Sequence, residues 1–348
     1  MSSIPPVHEC GRPVFVVGSA RSGNTLLYHM LLSNGGFASY RGEPAVFDLL
    51  APRFGNLRSP AARRRLLDTW PRSHLARTPG LDLAEIRHRV LTECRSNGDF
   101  LRIVFDALAR AQGARRWAVW GPDNLVYMRQ IKRDLPDALF VHTIRDGRDV
   151  ALSMFTEGWI RPFPWDSGRG LLAAALHWRW KVARGRAQGR TIQPSYLEIR
   201  FEDLVTRQRE TLDVVSRFID HDLDPDRIRQ RAIGTLVHSN STFGPGSPPV
   251  GRWRERLTPH DLERVESLIG PLLTELGYEV SSARHPGVAL DAMLMRWLYP
   301  AFLEMKQRLR APWLLGRWVA TDRLRLSPEP PPANDLRDDA STGAPSSH

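Results

Sequence analysis

The run "VFVV" at Val14–Val17 passes through Gly18-Ser19-Ala20-Arg21-Ser22-Gly23 into "NTLLYHMLLSNGG", apolar at helical spacing and closed by Gly35-Gly36. A short β-rich apolar run, a glycine-punctuated loop and a helical pattern predict a strand, a tight turn and a helix. A strand apolar on both faces needs helices on both sides, so this unit predicts an α/β fold around a parallel sheet. It also predicts chemistry. Glycines five positions apart between strand and helix present several backbone N–H groups and a helix N-terminus to one anion, and Thr25 adds a hydroxyl. The spacing approaches the phosphate loop of nucleotide triphosphatases, yet Asn24 stands where the lysine for the outer phosphates belongs.

The same alternation continues along the chain. "RWAVWG" reads as a second strand, "ALFVHTI" as a buried strand running through "RDGRD" into the helix "VALSMFTEGW", and "PSYLEIRFEDL" as a further strand. Between them, residues of about 52–113 are Arg-rich with helical periodicity and carry no strand signal, which predicts a helical insertion over one face of the sheet. Thr258, Pro259 and Asp261 mark a capped helix start, with Gly277 at its close. From Leu290 the residues Leu294, Trp297, Phe302, Met305 and Leu309 keep roughly helical spacing, interrupted by Pro300, with arginines interleaved. The expected division is a leader at 1–12, one main domain at 13–281, a helical extension at 282–326 and a disordered Pro/Ser/Asp-rich tail at 327–348.

Composition narrows the partners. Net charge is +11, and of the 49 basic residues only Lys132, Lys181 and Lys306 are lysines. Arginine pairs bidentately with phosphate and sulfate, so an anionic small molecule fits, whereas so uniform a bias is a weak sign of nucleic-acid binding. Cys10 and Cys94 are far apart and form no metal-ligand spacing, which predicts a reducing, cytoplasmic setting and no metal. No segment approaches the length of a membrane span. The stripe at 290–318, with Trp297, Trp313 and Trp318 among arginines, suits packing on its own domain, on a second copy in a homodimer, or on an anionic membrane surface as a peripheral contact.

A second constellation stands in "IRDGRDVALS". Arg145 ends a buried strand and Ser153 follows on the next helix, a pair able to grip a second anion beside the first loop. The plainer alternative is a turn in which Asp146 and Asp149 cap that helix. Taken together, "GSARSGNTLL", "IRDGRDVALS", "IRFEDLV" and the block beginning "VGRWRERLTPHDLERV" resemble sulfotransferases that use 3′-phosphoadenosine 5′-phosphosulfate (PAPS), over Pro13 to about Tyr278. The arginine before Ser-Gly is most similar to the tyrosylprotein sulfotransferases and their bacterial relatives.

The resemblance implies a 5′-phosphosulfate loop at Arg21, Ser22, Gly23, Asn24 and Thr25, a 3′-phosphate clamp at Arg145 and Ser153, and further donor contacts at Phe201 and Arg252. It implies Glu43, in "YRGEP", as the base for the acceptor hydroxyl and Arg21 as the group facing the leaving oxygen, with no metal. Glu43 as a cap for the helix after Pro44 is the alternative reading. Asn24 replaces a more usual Thr, Phe201 replaces a Tyr, and "GPDN" occupies the place of a lysine-bearing turn, so that cation is either missing or supplied elsewhere, with Arg252 in "VGRW" a candidate. The acceptor, whether sugar, lipid, phenol or peptide tyrosine, is expected against the insertion and the loop from Trp159 to Gly170. The rivals are a degenerate nucleotide kinase or NTPase and an inactive module that binds PAPS or its bisphosphate product.

Overall fold

The computed structural model describes residues 10–40, 42–157, 170–233, 249–281, 290–309 and Leu324. The expected tail, and the loop expected to line the acceptor pocket apart from Gly170, lie outside the described residues.

Five strands form one parallel sheet: β1 (Val14–Val17), β2 (Phe37–Ala38), β3 (Arg116–Trp120), β4 (Leu139–Ile144) and β5 (Tyr196–Arg200), in the spatial order β2-β3-β1-β4-β5. β1 is central, with Val16 in register with Trp120 on one side and Val141 on the other. Every strand therefore ends at the same edge, and β1, β3, β4 and β5 deliver the loops that build the site. The α/β class and the parallel sheet agree with the sequence reading. The two-residue edge strand β2 was not foreseen, because Phe37-Ala38 is too short for alternation to register.

Fourteen α-helices lie among the described residues. Before β4 come α1 (Asn24–Asn34), α2 (Ala51–Phe54), α3 (Pro60–Thr69), α4 (Leu83–Thr92), α5 (Asn97–Ala111) and α6 (Met128–Asp134). After it come α7 (Gly147–Thr156), α8 (Gly170–Gly189), α9 (Phe201–Thr206), α10 (Gln208–Ile219), α11 (Pro225–Arg231), α12 (Trp253–Arg256), α13 (Pro259–Glu275) and α14 (Leu290–Leu309). Alternate residues of β1 serve opposite faces: Phe15 and Val17 join Trp117, Phe140 and the helices between β2 and β3, while Val14 and Val16 join α1, α10 and α11. A third cluster unites α7, α8, α13 and α14 around Trp178.

Helix boundaries follow local chemistry. Thr258 caps α13 by accepting from Asp261 N at 3.1 Å and donating to its carboxylate at 2.8 Å, as its sequence predicts. Pro300 does not interrupt α14, which runs through it, and the face that packs inward is Met295, Tyr299 and Leu303, whereas Leu294, Trp297 and Met305 face solvent.

A buried histidine sits in β4. His142 Nδ1 lies 2.6 Å from the Tyr196 hydroxyl, which itself donates to Glu198 at 2.8 Å, so Nδ1 carries a proton and Nε2, buried without a partner among the described residues, does not. Burial, reinforced by Arg186, pulls the imidazole pKa down to about 3. The ring is thus neutral in the folded chain but takes a proton near pH 6.5 once unfolded, so stability is present above that pH and is lost as pH falls below it. Between pH 7 and pH 5 the loss is expected to be about 2 kcal/mol. Urea unfolding across this range should show it, and His142→Asn, which keeps a donor for Tyr196, should flatten the slope.

Candidate active site

The loop after β1 is built around two left-handed residues, Arg21 (φ 65°) and Gly23 (φ 91°). At Gly23 a side chain is excluded twice over, by conformation and because a Cβ would lie 2.4 Å from the Phe201 ring. Arg21 carries the strain of a non-glycine residue in this region, and its conformation points the carbonyl at Arg145. α1 begins at Asn24 with no side-chain cap, so its first-turn N–H groups face the loop without helical acceptors. The Ser19 and Ser22 hydroxyls are fully buried there with no partner among the described residues.

The Asn24 side chain turns inward. Its amide donates to the carbonyls of Gly18 (3.2 Å) and Ser19 (3.1 Å), and its Oδ1 accepts from Thr143 Oγ1 on β4. What Asn24 presents outward is its backbone N–H. Thr25 beside it is half-buried.

The two anion segments read from sequence meet in space. Arg21 Nε donates to Ser153 Oγ at 3.0 Å, with Glu157 at 3.6 Å from the same guanidinium. Arg145 donates to Arg21 O at 2.9 Å and Pro249 O at 2.7 Å, and its guanidinium lies 4.6 Å from the centre of the Phe201 ring. Arg252 is buried within the field of Asp149 and Arg21. Burial is the first cause pulling the pKa of all three arginines down; repulsion from neighbouring arginines adds to it at Arg145 and Arg252, while Asp149, Glu157 and Glu202 oppose it.

Asp146 caps α7 through Arg148 N, as the plainer sequence reading had it, but Asp149 does not cap. Its two oxygens accept from Gly251 N at 2.7 Å and Trp253 N at 3.0 Å, which pins the segment carrying Arg252 onto α7. Glu202 joins β5 to the same corner, accepting from Asp146 N and from the Tyr278 hydroxyl, each at 2.9 Å. Neither anchor was read from sequence. The signal available for Asp149 was its position four after Arg145, an ion-pair spacing.

Glu43 reaches the neighbouring strand end. The Tyr28 hydroxyl receives Tyr40 N at 3.2 Å and lies 3.4 Å from Tyr40 O, which holds the chain just ahead of Gly42-Glu43 against α1. The half-buried Glu43 sets its carboxylate beside Gly121, where a Cβ would stand 3.5 Å from Oε2 and 3.1 Å from Asn124 Nδ2. The N-cap residues of the π-helical turn Val46–Leu50 and of α2, Ala45 and Leu50, supply no side-chain cap of their own. The Gly121–Asn124 turn has a cation packed against it: Lys181 of α8 donates to Pro122 O at 3.1 Å and Asp123 Oδ1 at 2.6 Å.

Residues 13–225 match the sequence profile described as "Sulfotransferase family", well over half of the chain. The chain belongs to the sulfotransferase family. Its fold is similar to the sulfotransferase domain from the Synechococcus PCC 7002 olefin synthase, at 20% identity over 79% of this chain and 98% of that one, with a TM-score of 0.52. Sulfotransferase STF1 from Mycobacterium tuberculosis H37Rv (20% identity, 64% and 71% covered, TM-score 0.40) and mouse sulfotransferase SULT7A1 complexed with PAP (14%, 84% and 91%, 0.42) are more distant in shape. At such identities the likeness is one of fold, and it rests on the Synechococcus domain. No curated protein sequence matches the chain.

The Asp149 anchor has a direct test. Asp149→Asn leaves a single acceptor for two buried N–H groups, so stability should fall by about 1–3 kcal/mol. Hydrogen exchange at Gly251 and Trp253 should quicken, and unchanged protection there would show that the anchor is not what holds Arg252.

Proposed function

We propose that this sulfotransferase-family chain transfers a sulfuryl group from PAPS to an acceptor hydroxyl by in-line displacement. One observation carries the reading: Arg21, Ser153, Arg145 and Arg252 converge on one buried cationic corner next to the uncapped first turn of α1. Buried arginines that repel one another, and the buried Ser19 and Ser22 hydroxyls that have no partner among the described residues, are the groups an anionic donor would complete. A donor with one 5′-phosphate and one 3′-phosphate fits such a corner better than a triphosphate, since Asn24 brings no charge to the loop.

In this assignment the N–H groups of Gly23, Asn24 and Thr25, with the hydroxyls of Ser22 and Thr25, hold the 5′-phosphate. Arg145 and Ser153 hold the 3′-phosphate, Phe201 offers a ring to the base, and Arg252 adds charge. Bound PAPS supplies an activated sulfur–oxygen bond: a bond from the acceptor oxygen to sulfur forms as the bridging bond to the 5′-phosphate breaks, releasing adenosine 3′,5′-bisphosphate. Glu43 takes the acceptor proton, and Arg21 meets the charge on the departing phosphate. Family membership supports the reaction class.

The test is transfer of radiolabelled sulfate from PAPS to acceptors in a host extract, by the native chain and by Glu43→Gln. Labelled product is expected, and the variant should lose ~10²–10⁴-fold in turnover while keeping its bisphosphate affinity. Bisphosphate binding without any labelled product would favour an inactive binding module, and magnesium-dependent ATP binding would favour an NTPase. Turnover of Glu43→Gln close to the native rate would remove Glu43 from the mechanism.

A further inference from the structure

Away from the cationic corner, α6, α8 and α14 enclose a cleft of about 860 Å³. Its walls carry Arg129, Arg133, Arg184 and Arg308 against a single carboxylate, Glu304. That carboxylate is already engaged, accepting from Arg184 and from Trp180 Nε1 at 2.9 Å. Arg184 Nε is buried without a partner among the described residues. The cleft therefore has a surplus of positive charge and an unspent donor, the setting for an oxyanion.

α14 supplies one wall of this cleft through Glu304, Gln307 and Arg308, and its adjoining face is apolar and outward. Leu294, Trp297, Leu298, Ala301 and Met305 recur at three- and four-residue steps, so they form one stripe along the helix. Four of them are exposed large hydrophobics, with Trp297 at 76%. The inward face is separate, with Met295, Tyr299 and Leu303 in the core around Trp178. An apolar stripe bordering an arginine cleft matches an amphiphile with an anionic head.

We propose that the α6–α8–α14 cleft and the outer stripe of α14 dock this protein on an anionic bilayer surface, with a lipid phosphate in the cleft and the stripe in the interface. The contact is peripheral, since no helix among the described residues is long and apolar enough to cross a membrane. A second copy of the chain suits the stripe poorly. A two-fold contact through α14 would set one arginine cleft beside another, in a chain of net charge +11. The proposal does not depend on the sulfuryl-transfer reading.

Flotation with vesicles of phosphatidylcholine, alone or mixed equally with phosphatidylglycerol, tests it on the full chain. Binding is expected only to the mixed vesicles and should weaken with salt. Arg129→Gln/Arg133→Gln should weaken it about 30-fold, and Trp297→Ser by roughly tenfold or more. Each variant should keep native affinity for adenosine 3′,5′-bisphosphate, which separates loss of docking from loss of the fold or of the donor site. Failure to float with phosphatidylglycerol, or flotation indifferent to both variants, would overturn the proposal. So would calorimetric binding of glycerol phosphate to a chain that ignores vesicles, or a solution dimer that Trp297→Ser dissociates without any vesicle binding.

Discussion

Arg145 is the side chain on which the site depends. From the end of β4 it bonds to the carbonyl of Arg21 in the first loop and of Pro249 ahead of the Arg252 segment, lies over the Phe201 ring, and has the Asp149 carboxylate at 3.7 Å. Three pieces of chain far from it in sequence are therefore referenced to one guanidinium. The arrangement is costly in isolation, because burial and the nearby charges of Arg21 and Arg252 both disfavour the protonated arginine. A fold that gathers three such groups among the carboxylates of Asp149, Glu157 and Glu202 is stabilised by an anion that bonds to the arginines.

Below this corner the protein is stiff. Arg148 is fully buried, paired with Asp146 and Glu266, and stacked 3.7 Å from the centre of the Trp253 ring. Trp178 donates its indole N–H to Arg145 O at 3.1 Å. These contacts make the start of α7 a fixed platform, with Asp149 transmitting its position to Gly251 and Trp253. Positioning of this kind is what a displacement reaction with little covalent work by the protein requires.

Much of this could be read from the sequence, and the exceptions have physical reasons. β1, β3, β4 and β5 are apolar runs bounded by turn residues, so their periodicity showed through. The loop glycines and the Arg145–Ser153 spacing were equally visible, because they are local. What sequence could not supply was direction. Asn24 looked like a residue facing the ligand, but its side chain turns back onto Gly18, Ser19 and Thr143. Lys181 lies far along the chain from the turn it braces, and only the packing of α8 brings them together. In α14 the apolar spacing was correctly helical, yet which of its two apolar faces is buried is set by α8 and α13 rather than by the pattern itself.

The central claim is that the corner around Arg145 is a clamp for a second phosphate, beside the loop that holds the first. Calorimetry of adenosine 3′,5′-bisphosphate against AMP on the native chain isolates that phosphate, since the two ligands share the adenosine and the 5′-phosphate. The account predicts tighter binding of the bisphosphate by about 2–3 kcal/mol, the worth of charge-assisted contacts left unmade by AMP. Equal affinity for the two ligands would contradict it.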